Sequence, residues 1–181
     1  HSSMLPKIEA VPLKQIIDNL FTVFQPLCQQ QQKTLHTSSI DCQLGVWADP
    51  QLLNRILTNL LSNALKYTRT GGIRIYLEKK LSLDTDDVSI SIGNDDCNKV
   101  ENLTLVIEDT GIGIRAEDIP RIFEKGYTGV NGRDDNRATG IGLYLSNKIM
   151  RKLGHRLYIT STEGKGTKVF LEFSVEDLSM Y

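Results

Sequence analysis

The stretch Asn59-Leu-Leu-Ser-Asn63-Ala-Leu-Lys66-Tyr67-Thr68 decides how the whole chain is interpreted. It ends a segment, residues 51–67, whose apolar residues recur at helical spacing, and this spacing predicts one amphipathic helix. Asp49 precedes the segment and can cap the helix, and Pro50 fits the first turn. The sequence therefore predicts a helix with a wide apolar stripe and a polar edge.

The polar edge of this helix carries an unusual set of side chains. Asn59 and Asn63 are four residues apart and face the same way, and Lys66 and Tyr67 extend that face. Asparagine is a mediocre helix former, and a buried amide without a partner costs about 1–3 kcal/mol. Two interpretations stay open from the helix alone: a surface that meets a polar ligand, or the ordinary polar edge of a partly exposed helix.

The composition is that of a globular protein. The chain has 181 residues, a formal net charge of −1, 40% hydrophobic residues and 24% charged residues. These values fit one domain and argue against a nucleic-acid partner. No apolar run approaches the roughly 20 residues of a membrane span. Three cysteines without metal-binding spacing are interpreted as reduced thiols in a cytosolic setting. Residues 1–4 are interpreted as an expression scar, and residues 5–181 as a single domain.

Helices and strands are predicted on both sides of the central helix. Residues 13–32 and 140–153 have helical spacing. Alternating segments predict strands at residues 7–13, 35–40, 44–47, 73–78, 88–92, 103–107, 156–162 and 167–173. A long mobile loop, or lid, is expected at about 125–139, and an added hairpin at about 81–100. The sum is an α+β fold in which helices pack on one face of a sheet.

Three glycine clusters lie at element ends: Asp109-Thr-Gly111-Ile-Gly113, Thr139-Gly140-Ile-Gly142-Leu143 and Gly164-Lys-Gly166-Thr167. Glycine lets a backbone turn tightly and lets a flat ligand approach, and an aspartate at a strand end can accept a hydrogen bond from an exocyclic amine. A helix that begins at the second cluster offers free amides to phosphate. Taken singly, each cluster is more simply an ordinary turn.

Other catalytic patterns are missing from the sequence. The chain has no GxxxxGK[ST] phosphate loop, and Gly140-Ile-Gly142 lacks the third glycine of a dinucleotide fingerprint. The histidines are His1, His36 and His155, which form no nucleophile–base pattern. His155 follows a predicted helix end and is interpreted as a capping residue.

Taken in order, these segments resemble the ATP-binding domain of sensor histidine kinases, in the superfamily shared with gyrase, Hsp90 and MutL. The resemblance covers about residues 7–173 and matches the N, G1, F, G2 and G3 boxes, at residues 59–68, 108–114, 122–127, 138–143 and 164–167. A narrower resemblance, at residues 125–133 and 139–144, is to small kinases that sense cell-envelope stress or peptide antibiotics beside a transporter. Ala138 stands where the G2 box has its first glycine, and residues 81–100 exceed the usual length.

The resemblance implies a two-layer α/β sandwich of the Bergerat type, with a mixed, mostly antiparallel sheet. It also implies ATP and Mg²⁺ as cofactors. Asn63 would give its side-chain oxygen to Mg²⁺, Asn59 would support the metal or the phosphates, and Lys66 would contact phosphate. Asn59 and Lys66 are thus the candidate catalytic residues. The other residues implied near the phosphates lie in the loop and the following helix: Arg133, Arg137, Thr139, Gly140, Gly142 and Leu143. An equal alternative for Arg133 and Arg137 is that they are ordinary solvated charges of the loop.

The base of the nucleotide would lie at the G1 and G3 boxes. Asp109 would accept a hydrogen bond from the adenine amine, and Gly111 and Gly113 would allow the close approach. Thr167 would complete the base site. Tyr67 would stack on or border the adenine, or be an ordinary core aromatic.

The resemblance favours a kinase over a hydrolase. ATPases of the superfamily usually carry glutamate where this chain has Asn59, and an amide cannot act as a general base for water. Phosphoryl transfer needs mainly positioning and charge neutralisation. No histidine here lies in a phosphoacceptor pattern, so the acceptor is expected on an absent dimerisation domain. A cognate response regulator is the further partner implied, together with a monomeric fragment and a homodimeric, membrane-anchored whole kinase whose catalytic domain is cytoplasmic.

Two alternatives belong to other classes. One is an ATPase domain of the gyrase or Hsp90 type. The other is a degenerate nucleotide-sensing or docking domain without chemistry, against which the presence of Asn63, Asp109 and Gly140 argues.

Overall fold

A computed structural model describes residues 5–38, 40, 44–81, 100–127 and 141–177 of the chain. In these ranges the helices are α1 (Leu13–Gln30), α2 (Pro50–Tyr67) and α3 (Ile141–Lys152). The strands are β1 (Glu9–Pro12), β2 (Thr34–Thr37), β3 (Leu44–Ala48), β4 (Gly72–Leu81), β5 (Val100–Asp109), β6 (Arg156–Thr162) and β7 (Gly166–Asp177). The strand predicted at 88–92, and most of the hairpin predicted at 81–100 and of the lid at 125–139, lie outside the described residues.

The strands pair in the order β1-β3-β7-β5-β4-β2, and β6 also pairs with β7. Strand β7 pairs with β5 and β6 along most of its length, and its last residues pair with β3. Among the described strands, β2 and β4 form the one parallel pair. The predicted α+β sandwich with a mixed, mostly antiparallel sheet is confirmed.

The core lies between the sheet and the helices. Alternate residues of a strand face the same side of a sheet, and on β5 Leu103, Leu105 and Ile107 are at most 1% exposed. They join one apolar cluster with the buried faces of α1 and α2. The next residue in this alternation is Asp109, so a row that is apolar along the strand ends in a carboxylate.

Helix α2 begins as the sequence predicted. The Asp49 side chain accepts hydrogen bonds from the backbone N–H groups of Gln51 and Leu52, at 3.0 and 3.2 Å, and Pro50 occupies the first turn. The whole predicted apolar stripe is buried: Leu53, Ile56, Leu57, Leu60, Leu61, Ala64 and Leu65. Burial of this stripe fixes the rotation of α2, and therefore the direction in which its polar edge faces.

Helix α1, the cysteines and the apolar character of the helices also bear on what the sequence predicted. Helix α1 continues through Pro26, and the thiol of Cys28 is buried in the core, which raises its pKa. Cys42 and Cys97 lie outside the described residues. No described helix is both long and apolar enough to cross a membrane.

His155 caps the C-terminal end of α3, as predicted, and also connects that end to β3. The backbone N–H of His155 donates to the carbonyl oxygen of Met150 at 2.8 Å, after Gly154 at φ +78°. Its Nε2 lies 2.6 Å from the carbonyl oxygen of Trp47. A carbonyl only accepts, so Nε2 carries the proton, while the buried Nδ1 has no hydrogen-bond partner among the described residues. Burial lowers the pKa of His155, partly opposed by the bond to Trp47.

We expect His155 to make the chain less stable as the pH falls from 7.5 to 5. The unfolded chain takes up a proton at the ordinary histidine pKa of about 6.5, whereas the folded chain resists protonation until a lower pH. The free energy of unfolding therefore decreases as the pH is lowered from the histidine pKa of the unfolded chain to that of the folded chain. Urea unfolding at several pH values measures the fall. His155→Gln should flatten it, and His36→Gln, at an exposed position of β2, is the matched control. An unaltered pH dependence in His155→Gln contradicts this assignment.

Candidate functional site

The C-terminal turn of α2 is joined to the loop that follows β5. The backbone N–H of Ile112 donates to the carbonyl oxygen of Tyr67 at 3.1 Å. A Cβ atom at Gly111 would lie 2.4 Å from that same oxygen, so only glycine permits this approach. The Lys33 ammonium donates to the carbonyl oxygen of Leu65 at 2.8 Å and thus caps the end of α2. These contacts fix the helix end that carries the predicted polar face.

Asp109 is a buried carboxylate at the end of β5. It is 9% exposed. Its Oδ1 accepts hydrogen bonds from the backbone N–H groups of Gly111, at 2.9 Å, and Thr167, at 3.3 Å. Burial raises the pKa of Asp109, the two hydrogen bonds lower it, and the neighbouring Glu108 carboxylate raises it, with a net increase. None of the described residues hydrogen-bonds to Oδ2, so this oxygen keeps its capacity to accept a hydrogen bond from a ligand.

Asp109 belongs to a row of residues that crosses the sheet. The strand register places Ile73 beside Asp109, Asp109 beside Thr167, and Thr167 beside Ser161. All four continue the core-facing side of their strands. Their row begins apolar and becomes polar toward β6, at the edge of the core.

Two further glycines allow the turns around this row to meet. Gly113 has φ +71°, and a Cβ there would lie 2.2 Å from the carbonyl oxygen of Thr162. Gly166 has φ +137°, and a Cβ there would lie 2.0 Å from the carbonyl oxygen of Asp109. In addition, Gly164 donates its N–H to the Ile112 carbonyl at 2.7 Å. The predicted G1 and G3 segments are therefore in direct backbone contact.

The two asparagines lie on the polar edge of α2, beside its apolar stripe. Asn59 and Asn63 are both half-buried. A Cβ built at Gly142 would lie 3.9 Å from the Cβ and the Nδ2 of Asn59. The first turn of α3 therefore lies against the asparagine side of α2, while Leu143 packs against the core.

Lys66 and Tyr67 also lie at the end of α2. The Lys66 ammonium is 5.3 Å from the centroid of the Tyr67 ring, within the range of a cation–π contact. The Tyr67 ring is half-buried. Its backbone carbonyl, which sequence reasoning did not single out, contacts the loop after β5.

The segment between the G1 loop and the end of the described range, residues 114–127, is held by charge pairs. Arg115 Nε lies 3.0 Å from Asp118 Oδ2, and this contact lowers the pKa of the Asp118 carboxyl. Ile122 is 3% exposed and Phe123 packs against the core. The predicted F box is therefore anchored by apolar contacts at its start.

Sequence reasoning missed Ser161 and Lys33. The hydroxyl of Ser161 contacts both glycine turns, and a signal for it existed, because Ser161 is the polar member of an inward alternation with Leu157 and Ile159. Lys33 gave no local signal. Four predicted site residues lie outside the described residues: Arg133, Arg137, Thr139 and Gly140.

Comparison with known proteins assigns the family. Residues 48–177 match the family described as "Histidine kinase-, DNA gyrase B-, and HSP90-like ATPase", and the chain belongs to this family. It is similar to the sensor protein kinase GraS of Staphylococcus aureus (strain JH1), with 37% identity over 132 residues, which is 73% of this chain and 33% of that protein. The chain thus spans about a third of the curated relatives that it matches.

Solved structures show the same fold. The nucleotide-free catalytic domain of histidine kinase ThkA gives a TM-score of 0.70 at 20% identity, over 93% of this chain and 97% of that one. Full-length ShkA in complex with AMPPNP gives a TM-score of 0.70 at 18% identity, over 97% of this chain and 33% of that one. ThkA in complex with the response regulator TrrA gives a TM-score of 0.66 at 18% identity, over 92% of this chain and 41% of that one.

The metal-ligating atoms that α2 offers suit a hard cation only if phosphate oxygens supply some of its other ligands. The described residues contain no group of three or more His, Cys, Asp or Glu side chains that could hold a metal. The asparagine edge offers amide oxygens, which are ligands that Mg²⁺ accepts alongside waters and phosphates. These amide oxygens therefore suit a magnesium ion that is also bound by waters and phosphates.

Proposed function

We propose that this chain is the ATP–Mg²⁺-binding catalytic domain of a sensor histidine kinase, and that it transfers the γ-phosphate of ATP to a histidine on another domain of the same protein. The observation that carries the proposal is the buried Asp109, held at a strand end with one carboxylate oxygen already bonded to the backbone. The remaining carboxylate oxygen, which only accepts hydrogen bonds, matches the exocyclic amine of adenine.

On the base side, the residues of the chain bind the adenine and exclude water from it. Asp109 accepts from the adenine amine through Oδ2, Gly111 and Gly113 bring the backbone close to the ring, and Thr167 adds an oxygen beside the carboxylate. The Tyr67 ring borders the base from the end of α2. The turns that carry these residues are joined by backbone contacts, so we expect the base site to be formed largely before the nucleotide binds.

On the phosphate side, α2 and α3 contribute together. Asn63 offers its amide oxygen to Mg²⁺, and Asn59 supports the metal or the phosphates from the turn before it. Lys66 adds positive charge at the same edge. When bound, the metal neutralises phosphate charge as the transfer proceeds. Gly142 leaves space beside Asn59, and Arg133, Arg137, Thr139, Gly140 and Leu143 remain proposed neighbours of the phosphates or of the helix that presents them.

The reaction is transfer and not hydrolysis. Asn59 is the residue of α2 nearest to Gly142 in these contacts, and its amide cannot take a proton from water at neutral pH. The chain therefore holds ATP for an acceptor. At this position it has no general base that could activate a water molecule for hydrolysis.

The acceptor histidine comes from outside the described residues. His155 is 9% exposed and bonded to the Trp47 carbonyl, and His36 lies on a strand. Neither is an accessible helical histidine. The partners proposed are a dimerisation and phosphoacceptor domain of the same protein, and a cognate response regulator of the kind that ThkA binds in its complex. We propose separately that the whole protein is a membrane-anchored homodimer with this domain in the cytoplasm.

Isothermal titration of the purified chain with ATP tests the nucleotide site. We expect binding in Mg²⁺ and an affinity loss of at least about tenfold when EDTA removes the metal. Asn63→Ala should reduce this metal dependence to about threefold or less. Ser62→Ala, one residue away on α2 and exposed, is the matched control and should keep it. No binding at millimolar ATP would sink the proposal.

Phosphotransfer is tested by adding the phosphoacceptor domain of a related kinase. Acid-labile phosphate on that domain is the expected product. Substantial ATP hydrolysis by the chain alone, abolished in Asn59→Ala, would instead place it with the hydrolases of the family.

A further inference from the structure

Ser161 lies where the polar end of the core-facing row meets both glycine turns. Its Oγ is 2.8 Å from the backbone nitrogen of Ile114, 2.9 Å from the carbonyl oxygen of Gly166, and 2.8 Å from Oγ1 of Thr167. One hydroxyl thus contacts the loop after β5, the turn before β7, and the side chain beside it in the strand register.

The protons of these contacts can be assigned from chemistry. A hydroxyl has one proton and two lone pairs. The Gly166 carbonyl can only accept, so it takes the Ser161 proton. The Ile114 N–H can only donate, so it occupies one lone pair of Ser161. One lone pair remains for Thr167, and the Thr167 hydroxyl must therefore donate its own proton to Ser161.

This assignment fixes what the row can offer to a ligand. With its proton directed to Ser161, Thr167 Oγ1 presents only lone pairs elsewhere. Its register neighbour Asp109, when ionised, also only accepts. Two adjacent acceptors suit a group with two donor hydrogens and repel a carbonyl oxygen.

We propose that Ser161 is a positioning residue for nucleobase selection, which holds the Thr167 hydroxyl as an acceptor so that Thr167 and Asp109 together require an exocyclic amine on the base and disfavour a carbonyl there. This inference rests on the proposed nucleotide site and adds the residue that sets its hydrogen-bond polarity. Without Ser161, the Thr167 hydroxyl rotates and donates to a carbonyl.

The test compares ADP, whose base carries an amine, with IDP, whose base carries a carbonyl at that position. The unchanged chain should bind ADP far more tightly than IDP. Ser161→Ala should lower the ratio of the IDP and ADP dissociation constants at least about fivefold, the effect of one hydrogen bond of ordinary strength. Ser161→Thr keeps a hydroxyl and should restore the ratio.

A double-mutant cycle separates orientation from simple loss of packing. Thr167→Val removes the hydroxyl and should lower the ratio by itself, and in that background Ser161→Ala should change it less than twofold. An equal loss of affinity for both nucleotides in Ser161→Ala, with the ratio unchanged, overturns the inference. If Ser161→Ala does not fold, an unchanged ratio in Thr167→Val overturns it as well. Failure of the unchanged chain to bind either nucleotide refutes the nucleotide site itself, which is a different outcome.

Discussion

The Asp109→Asn variant is expected to bind ADP about 100-fold more weakly than the unchanged chain, which is the upper range for one hydrogen bond to a buried charged group. The change replaces a carboxylate by an amide of the same shape. The amide oxygen can still accept from Gly111 and Thr167, as Oδ1 does now. The amide nitrogen then stands in the place of Oδ2 and presents hydrogens to the amine of the base, so two donors face each other.

The same variant should fold at least as well as the unchanged chain. Burial raises the pKa of Asp109 above its ordinary value, which means that the ionised form is disfavoured in the folded state. Above the folded pKa this group therefore subtracts from stability, and a neutral amide removes the cost. Loss of binding without loss of stability would identify Asp109 as a binding residue and not a structural one.

Glu108→Gln is the matched control, because it removes the same charge from the neighbouring residue. Glu108 lies on the opposite face of β5, where it accepts a hydrogen bond from the Tyr76 hydroxyl at 3.0 Å. Titration calorimetry should give an ADP affinity within about twofold of the unchanged chain for this variant. Equal affinities for Asp109→Asn and Glu108→Gln would contradict the assignment of the base site.

Helix α2 shows which parts of the molecule local sequence can predict. Its cap at Asp49, its apolar stripe and the shared direction of Asn59 and Asn63 all follow from spacing along one helix. The contacts that bind α2 to the rest of the site do not. Lys33 meets Leu65 across 32 positions of sequence, and no local pattern encodes such a pair.

Ser161 shows the same limit within the site. Alternation along β6 places it on the core-facing side, which sequence alone could have indicated. Its role depends on register, because pairing with β7 puts it beside Thr167, which in turn pairs with Asp109. A shift of one residue would have turned each of these side chains to the other face.

The order of the glycine clusters carried more information than any one cluster. Gly111, Gly113 and Gly166 each lie where a side chain would collide with backbone, and the three collisions involve Tyr67, Thr162 and Asp109, in three different segments. Each glycine alone predicted only a turn. Their mutual contacts, which need the whole fold, join three separate segments of the chain.

Gly166→Ala is expected to lower the free energy of unfolding by about 3 kcal/mol or more, which is a large effect for one methyl group. Gly166 has φ +137°, which a side chain rarely adopts, and its Cβ would lie 2.0 Å from the backbone oxygen of Asp109. Strand pairing holds both chain segments, so neither can move aside cheaply. Urea unfolding measures the change.

Two other glycines separate the causes. Gly164, in the same turn, has φ +79° but no atom within 4 Å of an added Cβ, so Gly164→Ala should cost only the backbone strain, about 1 kcal/mol. Gly142→Ala meets Asn59 only at an ordinary 3.9 Å and should not destabilise a helix. It should still weaken ATP binding, since the methyl group enters the space beside Asn59 where the phosphates are proposed to lie. If Gly166→Ala unfolds no more easily than Gly164→Ala, the close contact between the β7 turn and Asp109 is wrong, and with it the shape of the base site.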